Sequence, residues 1–290
     1  MRRLANGTQV STLPLAPAAL GVPGFGTNGD PAAGLQASIF DAHAFNTIQE
    51  ELMALLTEGG ITPDNSGVDL KQVLAAVRNV TLNRIKSSTF LTSGTWTPDP
   101  GMRVCLIRCV GGGAGGGGAV GGAGGSAGGG GGAGAYGERW FNRTEISATH
   151  NVTVGAPGGG GNGPAGLNGV AGGFTTVSGL IIASGGAFGG AGQTGAVGGR
   201  GIGGDSTGGL VNVSGGSGTP GMLVGGSGVG GAGGSSMFGQ GGVASFSYDP
   251  AGTSGTGFGA GGAGGGAGSS PKNGGVGTAG VALIVEFCRN

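Results

Sequence analysis

Apolar residues recur at helical spacing only between positions 41 and 77. Phe45, Ile48, Leu52, Leu55 and Leu56 fall on one face of a helix that Asp41 caps and Gly59–Gly60 end. From about Asp69, Leu70, Val73, Leu74 and Val77 repeat the spacing, with Pro63 and Gly67 marking the connection. Two short helices bury little surface by themselves. Their stripes therefore serve either as a small core or as packing surface for copies of the same helices. Before them, residues 1–37 carry Pro14, Pro17, Pro23 and Pro31 among glycines and read as an extended arm. Leu13 to Phe25 within it either lies along a partner or belongs to a loose tail.

Beyond position 88 the period changes to two. Thr89 to Thr97 reads as one strand or two short ones, and Pro98-Asp99-Pro100-Gly101 as a turn. Met102 to Val110 is apolar on both sides, with Met102, Val104 and Leu106 expected on one face and Cys105, Ile107 and Cys109 on the other, so it should be central. Tyr136 to Phe141 and Asn151 to Val154 read as further strands, and Phe174–Val177 with Leu180–Ala183 as a hairpin around Gly179. Short apolar inserts follow at 210–213, 222–224, 237–238, 243–249 and 257–258. The closing stretch alternates Val281, Leu283, Val285 and Phe287 with Ala282, Ile284 and Glu286. It needs a partner, and Met102 to Val110 is the obvious one.

That pairing would enclose an unusual passage. Residues 111–134 hold 17 glycines, and the other seven residues are Ala, Val or Ser. Of 81 glycines in 290 residues, 11 lie in the first 110 and 70 in the remaining 180. A flexible linker is the default reading of such composition. A collagen triple helix is excluded, because glycine does not recur strictly every third residue and only five prolines follow residue 110. The third state is packed extended chain, polyglycine II or tight β, whose backbone groups pair with neighbouring segments. Flanking strands that zip the ends together favour it. The expected fold is mainly β with packed polyglycine II-like segments in the C-terminal domain, and a small α-helical N-terminal region. The domains expected are an arm (1–37), a helical oligomerisation or attachment region (38–88) and a glycine-rich tip (89–290).

Charge narrows the function. Basic and acidic residues number 13 each, and only ten of the 26 lie beyond residue 110. No basic footprint for nucleic acid or an anionic membrane is present. The three cysteines, Cys105, Cys109 and Cys288, all fall in expected strands and read as buried free thiols. MRRLANGTQV lacks the apolar run of a signal peptide, and no stretch of 18 apolar residues exists. His43 and His150 show no ligand spacing, and no nucleophile–base–orienter set is found, so neither catalysis nor a metal or other cofactor is expected. Gly-x-Gly-x-x-Gly matches carry no weight in so glycine-rich a chain.

The informative insert is VASFSYDP, residues 243–250. Phe246 and Tyr248 stand at i, i+2, so in extended chain their rings share a side. Aromatic residues on a rigid loop are good contact residues. They either bind a partner or cover the glycine layer.

The order of strands now resembles the glycine-rich C-terminal domain of phage tail-fibre receptor-binding proteins. The resemblance rests on Ser93-Gly94-Thr95-Trp96 before a Pro-Gly turn, Gly134 to Glu138, Val152 to Gly155, Gly172 to Thr175 before Leu180, Ala183 and Gly185, and the terminal strand Gly280 to Phe287. It covers roughly residues 89 to 290. It implies a non-enzymatic virion protein, made in the host cytoplasm and assembled as a homotrimer. The N-terminal part would attach to other tail or baseplate proteins. The tip would meet a bacterial surface receptor: a pilus, an outer-membrane protein or a glycan. By the same analogy Phe246, Tyr248 and Asp249 are the expected receptor contacts. A purely structural tail component is the alternative, and a polyglycine ice-binding or wall protein fits the helical N-terminal region less well.

Overall fold

The computed structural model describes residues 3, 8–15, 25–64, 66–81, 84–244 and 249–289. It is mainly β, with two α-helices among the described residues. It divides into two compact units, Met1–Arg84 with Arg289–Asn290, and Ile85–Cys288.

In the first unit, Asp41 accepts the Ala44 N–H at 2.8 Å and starts α1, Ala42–Glu58. The second helix, α2, spans Gln72–Val80 and begins a few residues later than the apolar spacing suggests. Leu56 and Ala76 are fully buried. Gly59 permits the close helix contact, because a Cβ there would lie 2.7 Å from the Ala76 Cα. Much of the expected stripe is left open: Phe45, Ile48, Leu74 and Val77 are exposed. The apolar arm segment 13–25 falls mostly outside the described residues.

The second unit begins as a sandwich. One five-stranded sheet runs in the order Arg84–Phe90, Val281–Cys288, Met102–Val110, Tyr136–Asn142, Val211–Val213. The closing strand pairs antiparallel with Met102–Val110, Val281 opposite Val110 and Ile284 opposite Ile107, as the sequence required. The other sheet runs Gly94–Trp96, His150–Thr153, Thr175–Val177, Ile181–Ala183, Ser206–Thr207. Trp96, Cys105, Ile107, Cys109, Val152, Val177, Ile181 and Ile284 form their shared core. Met102 corrects the expected alternation: it lies in this core on the side of Cys105, not with Val104 and Leu106. The register slips between Phe287 and Cys288, so Cys288 faces Met102 and Phe287 faces Val104, which turns the end of the strand over. Burial raises the Cys105 and Cys109 thiols to about 12.

One carboxylate sits in this core. Glu286 is 0% exposed and accepts the Trp96 Nε1–H at 2.8 Å and the Asp99 N–H at 2.7 Å, with Lys86 Nζ 3.9 Å away. It ties the last strand to the turn that precedes the central strand.

The glycine run leaves the end of Met102–Val110 and enters a bundle of backbone segments. The N–H groups of residues 111, 114 and 117 donate to the carbonyls of 135, 132 and 129; those of 112, 115 and 118 to 173, 170 and 167; those of 113, 116 and 119 to 278, 275 and 272, all at 2.8–3.1 Å. The carbonyls of 112, 115 and 118 accept from 186, 189 and 192, those of 113 and 116 from 158 and 161, and those of 114 and 117 from 262 and 265. Successive residues thus address three different neighbours in rotation, and segment 111–119 has six neighbours in all.

Residues 127–135 and 259–265 are bonded in the same way and touch both 111–119 and each other. Around these three lie the outer segments 155–161, 167–173, 185–192, 198–204, 215–219, 231–235, 241–244, 252–255 and 272–278. Each is hydrogen-bonded to the next, so the ring closes. The backbone bonds contribute about 1 kcal/mol net each, which offsets the roughly 0.5–1 kcal/mol extra cost of ordering glycine rather than alanine. Segments meet too closely for side chains: a Cβ on Gly113, Gly115, Gly116 or Gly117 would fall 1.9–2.0 Å from a carbonyl oxygen of a neighbouring segment. The passage is therefore no linker but the interior of the unit.

Candidate functional site

The bundle places its turns at two ends. At the sandwich end the segments run into strands. At the far end they are joined by turns around residues 120–126, 162–166, 193–197, 220–230 and 266–271, and Asp249 stands beside the last of these. These turns are the candidate site, because connecting loops on a rigid scaffold are where binding residues concentrate.

Local chemistry stiffens them. Asn162 closes one turn by accepting the Ala165 N–H at 3.0 Å, and Ser126 Oγ accepts the Gly121 N–H at 2.9 Å. Gln193 Nε2 donates to Gly166 O at 3.2 Å and Thr194 Oγ1 to Gly121 O at 3.1 Å, so three neighbouring turns are tied together. Strands Met222–Val224 and Ser227–Val229 form a hairpin whose Gly225 and Gly226 both take positive φ, 57° and 78°. That is the geometry a two-residue turn with right-handed strand twist demands. The hairpin lifts Met222, Leu223 and Val224 into solvent, and Leu167 and Val197, next to other far-end turns, are exposed as well.

Of the three residues the sequence singled out, Phe246 and Tyr248 lie outside the described residues. Asp249 is described: it takes φ 54° and its Oδ1 accepts the Gly268 N–H. Its carboxylate thus ties position 249 to the turn at 266–271, a role the family analogy did not assign. Met222, Leu223, Val224, Leu167 and Val197 were not picked out as contacts. The Gly-Gly pair between Met222–Val224 and Val229 was the available signal.

The sandwich holds the remaining candidates for chemistry. His150 stacks on Trp96 with ring centroids 5.6 Å apart. Its Nδ1 lies 2.9 Å from Ser178 O, which can only accept, so the proton sits there and Nε2 accepts the Ser147 N–H at 3.1 Å. Both ring nitrogens are used. A cavity of about 360 Å³ opens beside it, lined by Glu145, Ser147, His150, Asn151 and Ser178. Its carboxylate, Glu145, is bound to Arg139 at 2.7 Å and to the Asn142 N–H at 2.8 Å, and that backbone bond holds it below the usual carboxylate range. On the outer face of the first sheet, Glu138 accepts from Tyr136 Oη and Arg108 Nε, both at 2.6 Å. Burial, with Glu138 alongside, raises the Tyr136 phenol to about 12.

Among the described residues no group of three or more His, Cys, Asp or Glu side chains stands ready to hold a metal ion, and no helix is long and apolar enough to cross a membrane. The chain matches no protein-family model and no curated protein sequence.

Proposed function

We propose that the chain is a phage tail-fibre or receptor-binding protein, a non-enzymatic adhesin of the virion. Its N-terminal part attaches to other tail or baseplate proteins, and the far-end turns of its glycine-rich unit meet a host surface receptor. The observation that carries this reading is the bundle: segments without side-chain chemistry hold the described far-end turns together at one end, a form suited to presenting loops rather than to reacting. In this reading the segments are polyglycine II-like, which the rotation of bonds among three neighbours favours because that helix has three residues per turn. The open stripes of α1 and α2 fit a homotrimer joined in part through its helices.

Phe246 and Tyr248 supply receptor contacts in this proposal, and Asp249, bonded to the Gly268 N–H, anchors the chain that follows them. Virions carrying the chain without residues 243–250 should assemble in normal numbers and lose adsorption by tenfold or more. The double variant Phe246→Ala/Tyr248→Ala should show most of that loss. Unchanged adsorption by intact virions would favour the alternative, a structural tail component without receptor contact.

A further inference from the structure

We infer that one flank of the glycine bundle is a self-association surface, packed against the same flank of another copy of this chain. The second sheet feeds directly into this flank. Strands His150–Thr153, Thr175–Val177, Ile181–Ala183 and Ser206–Thr207 continue as outer segments 155–161, 167–173, 185–192 and 198–204, in the same lateral order. Along it stand Ile182, Phe174, Val170, Leu167, Phe188 and Ile202, each between 45% and 64% exposed. Leu167 and Val170 are spaced by three and repeat on the outward side of one segment. The opposite flank differs: its outward positions are mainly Ser217, Thr219, Ser235, Thr253 and Ser254, with Val243 and Val276 as the larger apolar residues.

Area and charge select the occupant. Three neighbouring segments are about 15 Å wide at strand-like spacing, and the stripe is about 35 Å long, which gives on the order of 500 Å². That reaches the upper range of about 300–600 Å² for the largest apolar patch on an ordinary monomer. Two copies would remove about 1,000 Å² from water, the threshold of a specific interface. Segments 167–173, 185–192 and 198–204 carry a single charge, Arg200. A foreign partner would find almost no charge to steer or select it. Copies of one neutral chain bring apolar stripe to apolar stripe without repulsion. Because the stripe runs along the segments, parallel copies keep all far-end turns pointing the same way.

The test uses the full-length chain and a short bifunctional maleimide. The native thiols Cys105, Cys109 and Cys288 are buried and silent. Val170→Cys and Ile202→Cys should give covalently linked copies in high yield. Val243→Cys, equally exposed on the opposite flank, should stay a single chain on the gel. Ile202→Glu added to Val170→Cys should abolish the link while amide protection of the bundle stays at the native level. Equal linking at positions 170 and 243, or none at 170 and 202, would overturn the inference whatever the receptor experiments show, and so would linking that survives Ile202→Glu.

Discussion

Gly116→Ala is expected to destabilise the second unit by about 3 kcal/mol or more, at the top of the usual cost of overpacking. The added Cβ would lie 2.0 Å from the carbonyl oxygen of Ala263 and 2.3 Å from its carbonyl carbon. Those atoms are backbone, so no rotamer change relieves the clash. Segment 259–265 would have to move, and it is bonded on its other sides to 231–234, to 275–279 and to 127–134. The strain would therefore spread through the interior. Gly199→Ala is the control. It lies in an outer segment, a Cβ there meets nothing within 4 Å, and its φ is not in the left-handed region. That substitution should be neutral or stabilising by up to about 1 kcal/mol through the unfolded chain. Thermal or urea unfolding of the two variants gives the comparison. Equal stabilities would mean that the segments do not approach as closely as described.

Glu286→Ala should cost about 3–5 kcal/mol, the range for removing one member of a buried charged group. The loss leaves the Trp96 Nε1–H and the Asp99 N–H in the core without their acceptor, and Lys86 without its nearest carboxylate apart from Asp99, 4.0 Å away. The methylenes lost from a 0% exposed position add a cavity. Glu286→Gln should recover part of the loss, since an amide oxygen still accepts one hydrogen bond. Denaturant titration followed by Trp fluorescence reads both, because Trp96 reports on this contact directly. An alanine variant as stable as the parent would show that the closing strand is held by its ladder alone.

The ends of the bundle were legible and its inside was not. The closing strand announced itself by alternation, and only one other strand was long and apolar enough to be its partner. Asp41, the Gly179 hairpin and the turn at Asp99 followed from side chains with definite preferences. Position 102 was misjudged because a bulge leaves no signature in a run apolar on both sides. In the glycine run itself, residues without side chains carry no periodicity that says which segments are neighbours. The ring of nine around three is set by the turns, whose Asn162, Ser126, Gln193 and Asp249 look like ordinary loop residues until the bonds are seen. The same silence hid the apolar flank, since Val170, Phe188 and Ile202 lie far apart in sequence and meet only when their segments are laid side by side.

Amide hydrogen exchange of the intact protein tests the central claim most directly. Residues 111–119, 127–135 and 259–265 should exchange as slowly as the core strands Met102–Val110 and Val281–Cys288, and the far-end turns faster. Glycine segments exchanging at the rate of unstructured chain while those strands stay protected would contradict the bundle.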